Sequence, residues 1–226
     1  MSTADLQLFQ RARKPEQREA RREAILAAAA ALFDAEGVQG TGLNAIAAKA
    51  GFTKSNIYRY FESREEVLLS LMIESFDGLT EDLATSMPKL SSGDIAGLAR
   101  LTAQGFAQRP RLGKLMAILS TILETNLSEE RIIALKRQLP GMLDRVARAI
   151  QGVLPGASLD DCRWAAGMTG TLVTGMWPNL HPGSTAAKVM ERPEFTVFRP
   201  SIEHDLERAI RALLASIQAS PPDVSA

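Results

Sequence analysis

The chain has 226 residues, of which 46% are hydrophobic and 23% charged, and its basic and acidic residues balance to a formal net charge of zero. These values are ordinary for a globular chain that can bury a sizeable core, and the neutral balance by itself indicates no nucleic-acid partner. The single cysteine, Cys162, excludes an intramolecular disulfide and favours a reducing compartment. Residues 1–14 lack the apolar core of a signal peptide, and the longest apolar run, residues 24–33, is too short to span a bilayer. We therefore expect a soluble, cytoplasmic protein without membrane contact.

The N-terminal segment is polar and carries several arginines. Residues 1–16 are expected to form a flexible arm, because the polar segment ends at Lys14-Pro15. Residues 11–64 contain ten basic and six acidic residues, and this excess of positive charge favours a region that binds DNA phosphates. The arginines from Arg11 to Arg22 have two interpretations, the start of a solvated helix or contacts in a DNA groove.

Four helices are predicted in the next part of the chain. Good helix formers fill residues 16–36, and Gly37 is a natural stop. Shorter helices follow over residues 41–50 and 54–61, and a long one runs over residues 63–86.

Polar residues at the starts of these helices predict their caps. Thr41 is expected to cap the second helix and Thr53 the third, while Ser63 and Glu66 form a capping box for the fourth.

The remaining two-thirds of the chain also has helical periodicity, and no segment alternates with the period of a strand. Helices are predicted over residues 94–108, 111–125, 128–153, 158–176 and 201–220. Pro140 is expected to kink or split the third of these. Residues 179–199 are predicted to form a loop and residues 221–226 a disordered tail.

The most informative segment is residues 41–61, where two short helices flank a tight turn at Gly51. Ile57 and Phe61 are four residues apart and are expected to point to the core. The opposite face of the third helix is polar and basic, and it consists of Lys54, Ser55, Asn56, Tyr58, Arg59 and Tyr60. Such residues reach phosphates and base edges in a major groove. The spacing therefore predicts a helix-turn-helix that binds duplex DNA.

At this point the sequence closely resembles the DNA-binding domain of the tetracycline-repressor (TetR) family. The matching residues are Thr41, Ile46-Ala47, Ala50-Gly51-Phe52-Thr53-Lys54, Ile57-Tyr58, Tyr60-Phe61, Ser63-Arg64-Glu65 and Val67, preceded by Ile25-Leu26, Ala29-Ala30, Leu32-Phe33 and Gly37. Arg64 stands where lysine is common in the family, and Gly42 weakens the start of the second helix.

The resemblance implies an all-α fold in two parts. Residues 17–65 would form a three-helix DNA-binding domain with the helix-turn-helix, and residues 66–220 an all-helical ligand-binding and dimerisation domain. The implied partners are a near-palindromic double-stranded operator, a second copy of the chain and a largely apolar small-molecule effector. The expected DNA contacts are Thr41, Thr53, Lys54, Ser55, Asn56, Tyr58, Arg59, Tyr60 and Arg64.

The same resemblance directs attention to two sets of residues in the second domain. Small or apolar residues at helical spacing are candidates for the dimer interface: Ala166, Gly170, Leu206, Ile210, Leu213 and Ile217. Bulky, soft side chains are candidates for the effector pocket: Phe106, Met116, Leu119, Ile122, Met142, Trp164, Met168 and Met176. Either set is also compatible with ordinary core packing.

Two rival functions fit these features less well. A DNA-binding protein of this fold without a ligand, such as an architectural or cell-division factor, would keep the helix-turn-helix and lack the effector. An enzyme is disfavoured because the sequence contains no zinc spacing, phosphate loop, dinucleotide glycine motif or nucleophile elbow. No cofactor, metal site or catalytic residue is predicted.

Overall fold

The computed structural model describes residues 3–123, 126–182, 184–198 and 201–218. Within these ranges the chain forms ten α-helices and no strand, as the sequence predicts. The helices are α1 Thr3–Gly40, α2 Leu43–Ala50, α3 Lys54–Ile57, α4 Arg64–Ser86, α5 Ile95–Ala107, α6 Pro110–Ala117, α7 Glu129–Val153, α8 Leu159–Leu180, α9 Ser184–Met190 and α10 Glu207–Gln218. The chain divides into two compact units, Met1–Leu71 and Met72–Ala226, and the division falls inside α4.

The first unit packs α1, α2, α3 and the start of α4 around a small apolar core. Its fully buried side chains include Ile25, Phe33, Ile46, Ile57 and Leu68. The helical path of α1 is broken at Gly37, whose φ of 67° lies in the left-handed region that glycine tolerates. Gly51 ends α2 in the same way, with φ of 72°.

Two of the three predicted caps are present. Thr53 Oγ1 accepts a hydrogen bond from the Asn56 backbone N–H at 3.3 Å. Ser63 Oγ accepts from the Glu66 N–H at 3.1 Å, and the Glu66 carboxylate accepts from the Glu62 N–H at 2.6 Å. These bonds satisfy backbone donors that have no partner inside their helix.

The prediction for Thr41 is wrong. The cap position of α2 is Gly42, which has no side chain to offer. Thr41 is fully buried, and its hydroxyl donates to the Gly37 carbonyl at 2.7 Å. The hydroxyl therefore closes the end of α1 and is withdrawn from any DNA contact.

The second unit packs α5 to α10 with the rest of α4. Helix α8 contacts α6, α7 and α10, and α10 also packs on α5. Leu98, Leu112, Ala165 and Leu206 are among the side chains buried where these helices meet. No helix in the described ranges combines the length and apolarity that crossing a bilayer requires.

Several boundaries differ from the sequence predictions. Helix α1 begins at Thr3, includes Pro15 and takes in most of the predicted arm. Pro140 lies inside an uninterrupted α7, and Pro178 lies inside α8. A proline removes one backbone hydrogen bond, and buried side chains on both flanks, such as Leu135 and Met142 in α7, hold the helix together.

Two further differences concern predicted loops and helices. The predicted loop over residues 179–199 contains α9 and a 3-10 helix, Pro193–Phe198. The predicted helix 111–125 consists of α6 followed by a π-helical turn, Leu119–Leu123. The predicted tail, residues 221–226, lies outside the described residues.

The dimer assignment of three residues needs correction. Leu206, Ile210 and Ile217 are between 0% and 3% exposed in the single chain. They pack inside the second unit, where α10 and the π-helical turn before it, Ile202–Leu206, meet α5 and α8. These side chains have almost no area left for a partner chain, so they belong to the core of the unit.

Candidate nucleic-acid interface and ligand cavity

The third helix is anchored by two apolar side chains. Ile57 is 0% exposed and Phe61 is 2% exposed, as their spacing predicts. Regular helix ends at Ile57, and turns stabilised by backbone bonds, such as Tyr60 N–H to Ile57 O at 2.9 Å, continue to Phe61. The anchors leave the other side of this segment facing outward.

The outward side carries most of the predicted DNA contacts. Lys54, Ser55, Tyr58 and Arg59 are exposed, whereas Asn56 and Tyr60 are half-buried. Tyr58 is 52% exposed although it is large and aromatic, and the Lys54 ammonium lies 5.8 Å from the centre of its ring. A cation, a phenol and a hydroxyl thus stand together on one turn, where they can donate to phosphates or base edges.

Arg64 has a different environment. Its guanidinium donates to Glu65 Oε1 at 2.7 and 3.1 Å, and to the Val38 carbonyl at 3.5 Å. These bonds tie the start of α4 to the chain that follows Gly37. The Arg64 side chain is therefore hydrogen-bonded to other residues of the first unit.

A cleft of about 890 Å³ lies among α4, α6, α7 and α8 in the second unit. Most of its wall is apolar, formed by Met72, Phe76, Leu112, Met116, Leu119, Leu139, Pro140, Leu143 and Ala166. Gly167 and Gly170 of α8 add no side chain and so leave room for a guest. Polar groups are few: Lys136, Asp144, Arg163, Thr171 and Thr174. A cavity of this size and lining is typical of sites for drug-sized apolar ligands.

Both units match sequence models of one family. Residues 25–71 match the model of bacterial regulatory proteins of the tetR family. Residues 74–221 match the tetracyclin repressor-like C-terminal domain. The chain belongs to the TetR family. It is therefore a transcriptional regulator by family, and its all-helical two-part fold is the one that the sequence resemblance implies.

Solved structures of several regulatory proteins have the same fold. A TetR/AcrR-family regulator from Thermobifida fusca is 25% identical, with a TM-score of 0.55 over 86% of this chain and 97% of that one. The fatty acid degradation regulator FadR from Bacillus halodurans is 20% identical, with a TM-score of 0.56 over 86% and 94%.

A third similar structure is that of SmeT, the repressor of the Stenotrophomonas maltophilia multidrug efflux pump SmeDEF. It is 24% identical, with a TM-score of 0.52 over 91% of this chain and 96% of that one. A SmeT–triclosan complex aligns with a TM-score of 0.55. No curated protein matches the chain.

The cleft of this TetR-family regulator includes only part of the predicted pocket. Met116 and Leu119 line it, while Phe106 lines an adjoining void of about 40 Å³, which is too small for an effector. The other predicted residues lie outside both linings: Ile122, Met142, Trp164, Met168 and Met176. Trp164 and Met168 are 48% and 36% exposed, so they face away from the interior.

Two residues predicted for the dimer interface lie at the cleft. Ala166 and Gly170 share the side of α8 that lines it. Their small size permits close approach, and periodicity alone does not tell whether a helix or a ligand approaches. The polar residues of the cleft were missed because exposed charges usually indicate a solvated face.

One ion pair dominates the charged end of the cleft. Arg163 Nε donates to Asp144 Oδ1 at 2.6 Å, and the same guanidinium reaches Asp160 at 2.5 Å. The hydrogen bond from Arg163 lowers the pKa of Asp144 below its usual range, although burial acts in the opposite direction. The adjacent Cys162 is fully buried, and burial together with Asp161 raises the pKa of its thiol to about 11.

Proposed function

We propose that this TetR-family regulator is a sequence-specific DNA-binding repressor that a largely apolar small molecule releases from its operator. The observation that carries the proposal is the pairing of two features in one chain. One is the exposed face formed by Lys54, Ser55 and Tyr58, which the buried Ile57 and Phe61 hold in place. The other is the apolar cleft of about 890 Å³.

The exposed turn after Thr53 supports the DNA-binding part. Lys54 and Ser55 precede the buried Ile57, and Tyr58 follows it, so one turn presents several donors while its base is fixed. Rigid presentation matters because a base-edge contact requires hydrogen bonds of defined geometry. Lys54 supplies charge for the phosphates, and Ser55 and Tyr58 can add neutral contacts.

One copy of such a turn reads a short half-site. We infer a homodimer, because two copies about 34 Å apart would read successive major-groove turns of a near-palindrome. Trp164 and Met168 of α8 are the exposed apolar residues that favour a contact between copies. This assignment replaces Leu206, Ile210 and Ile217, whereas Leu213 is only half-buried and stays a candidate.

The cleft supports the effector part. Its wall offers aliphatic and thioether groups with few polar partners, so an apolar molecule with one polar end is the best match. SmeT, which has a similar fold, has been crystallised with triclosan, a ligand of that chemical type. Triclosan is therefore a suitable probe for this chain.

The proposed mechanism is a population shift. Met72 and Phe76 of α4 line the cleft, and α4 begins at Arg64 in the first unit. An effector that binds one conformation of the cleft better than another favours that conformation. A conformation in which the two recognition helices no longer match the groove repeat releases the DNA.

The experiment begins with selection of bound sites from random duplexes. A near-palindromic consensus with half-sites one helical turn apart is expected. Comparable binding to random and selected duplexes across a salt series contradicts sequence-specific regulation and favours an architectural role.

The effector part is tested on the selected site with triclosan and a cavity-filling variant. A side chain at Gly170 would extend toward Met116, whose Cε lies 3.8 Å from an added Cβ. We expect Gly170→Leu to bind DNA normally and to respond less to triclosan than the wild type. The control is Gly152→Leu in α7, where an added Cβ meets open space. An equal response in all three proteins contradicts this cleft as the effector site.

A further inference from the structure

Three arginines meet at a second cleft, in the first unit. Arg18 and Arg21 of α1 line it together with Arg59, which follows α3, and Gln17 and Tyr60 complete its wall. The cleft has a volume of about 360 Å³. The predicted DNA contacts include Arg59 and Tyr60, whereas the sequence left two interpretations open for Arg18 and Arg21, a solvated helix start or a groove contact.

The convergence follows from the way α1 packs. Ile25 and Phe61 are buried in the same core, and the Arg22 guanidinium lies 5.6 Å from the centre of the Phe61 ring. This places α1 beside the turn that ends at Phe61. Gln17, Arg18 and Arg21 share one helix face, one turn N-terminal to these contacts.

The charged residues that line this cleft are all arginines. Glu19, which follows Arg18 in the sequence, pairs with Arg22 at 3.4 Å. Among the residues that the structure describes, no carboxylate forms an ion pair with Arg18, Arg21 or Arg59. All three side chains are exposed. Three guanidinium groups that repel one another around a concavity are stabilised when an anion enters it.

We propose that this cleft is a phosphate clamp that holds one backbone phosphodiester of the bound duplex. The guanidinium groups of Arg18, Arg21 and Arg59 match phosphate oxygens, and the Gln17 amide and Tyr60 hydroxyl are further donors. The clamp rests on the DNA-binding function proposed above. It assigns Arg59, like Lys54, to the backbone and leaves sequence discrimination to neutral side chains of the exposed turn such as Ser55 and Tyr58.

The clamp makes a prediction that base readers do not. Each neutralised phosphate adds about 0.9 to the slope of log affinity against log salt and contributes equally on every sequence. The Arg18→Ala/Arg21→Ala protein should bind both the selected operator and a random duplex more weakly. Its salt slope should fall by about 0.9 for each phosphate that the variant no longer neutralises, with the ratio between the two duplexes unchanged.

Two control variants are measured together with the Arg18→Ala/Arg21→Ala protein. Arg100→Ala/Arg208→Ala removes the same charge from exposed positions in the second unit and should keep the wild-type slope. Arg18→Lys/Arg21→Lys keeps the charge and should retain most of the slope while losing some affinity, because lysine lacks the arginine fork. Thermal unfolding of each protein confirms that the variants fold.

The outcomes separate the two proposals. If the wild type shows no preference for any duplex, the proposed function fails. If the wild type is specific and the α1 double variant keeps both its slope and its affinity for the random duplex, only the clamp is overturned. A loss confined to the operator, with random binding intact, would make these arginines base readers and also overturns the clamp.

Free phosphate is the other source of the same chemistry. To test for binding of free phosphate, inorganic phosphate is titrated at constant ionic strength in the absence of DNA. If it raises the unfolding temperature of the wild type but not of Arg18→Ala/Arg21→Ala, while DNA binding is equal, the cleft is a free-anion site. That result would overturn the assignment to the duplex.

Discussion

Asp144 and Arg145 are neighbours in α7, and their side chains form ion pairs with two different helices. Asp144 accepts from Arg163 of α8 at 2.6 and 3.1 Å. Arg145 donates to Asp77 of α4 at 2.9 Å and also lies 3.2 Å from Glu81. Asp144 lines the large cleft as well, so an effector that enters would meet the residue that joins α7 to α8.

The ion pair of Asp144 predicts a specific pH dependence of stability. The pKa of Asp144 is lowered in the folded chain, chiefly by the hydrogen bond from Arg163. Its contribution to stability is therefore present above the ordinary value of 3.8 and is lost as the pH falls through the lower folded pKa. Asp144→Asn should lower the unfolding temperature at pH 7, and the difference from the wild type should shrink in acid.

Thermal unfolding between neutral pH and about pH 3 measures this difference. Glu191→Gln, at an exposed position after α9, is the control for removing one carboxylate. A difference between Asp144→Asn and the wild type that stays constant down to the lowest pH would contradict the prediction.

Gly113 in α6 is expected to tolerate no side chain. A Cβ added there would overlap the ring of Trp177, a side chain that is 3% exposed. Gly113→Ala should therefore lower the free energy of unfolding by about 1–3 kcal/mol, as overpacking does.

Urea denaturation of Gly113→Ala and of a glycine variant with open surroundings tests this. At Gly152 an added Cβ meets no atom within 4 Å, so Gly152→Ala should be neutral or slightly stabilising. Equal effects at the two positions would show that the Trp177 contact is unimportant.

Cys162 should be unreactive in the native protein. Its side chain is fully buried, and burial raises the pKa of the thiol to about 11. The thiolate that attacks alkylating reagents is then scarce at pH 8, and access to it is blocked. Iodoacetamide should label the chain slowly until denaturant is added, and labelling at the rate of a free thiol would refute this environment.

Substitutions in the segment from Lys54 to Phe61 should separate side chains that contact DNA from those that hold the segment in place. Lys54→Ala and Tyr58→Ala should each weaken operator binding by about 1–3 kcal/mol without lowering the unfolding temperature. Ile57→Ala removes a side chain that is 0% exposed and should destabilise the first unit by about 2–5 kcal/mol.

Binding isotherms and melting curves of the same samples distinguish these effects. Lys89→Ala, an exposed lysine of the second unit, controls for the removed charge. If Lys54→Ala and Tyr58→Ala both bind like the control in a folded protein, the assignment of the DNA-contacting face is wrong.

The local structure of the DNA-binding unit could be predicted from the order of its residues. The spacing of Ile57 and Phe61, the turn at Gly51 and the cap at Thr53 all appear in the structure as expected. Each depends on residues a few positions apart, where helix geometry dictates which groups can meet. For the same reason the long helices could be predicted, although some of their ends were misplaced.

Which face of each helix packs against which neighbour could not be predicted in this way and depends on the packing of the whole chain. This packing turned the Thr41 hydroxyl to Gly37, buried Leu206 under α5 and α8, and put Gly170 at a cleft. It also brought Arg18 and Arg59, far apart in sequence, to one concave surface. Periodicity shows that side chains share a face, but what that face packs against depends on how all the helices bury their apolar surface together.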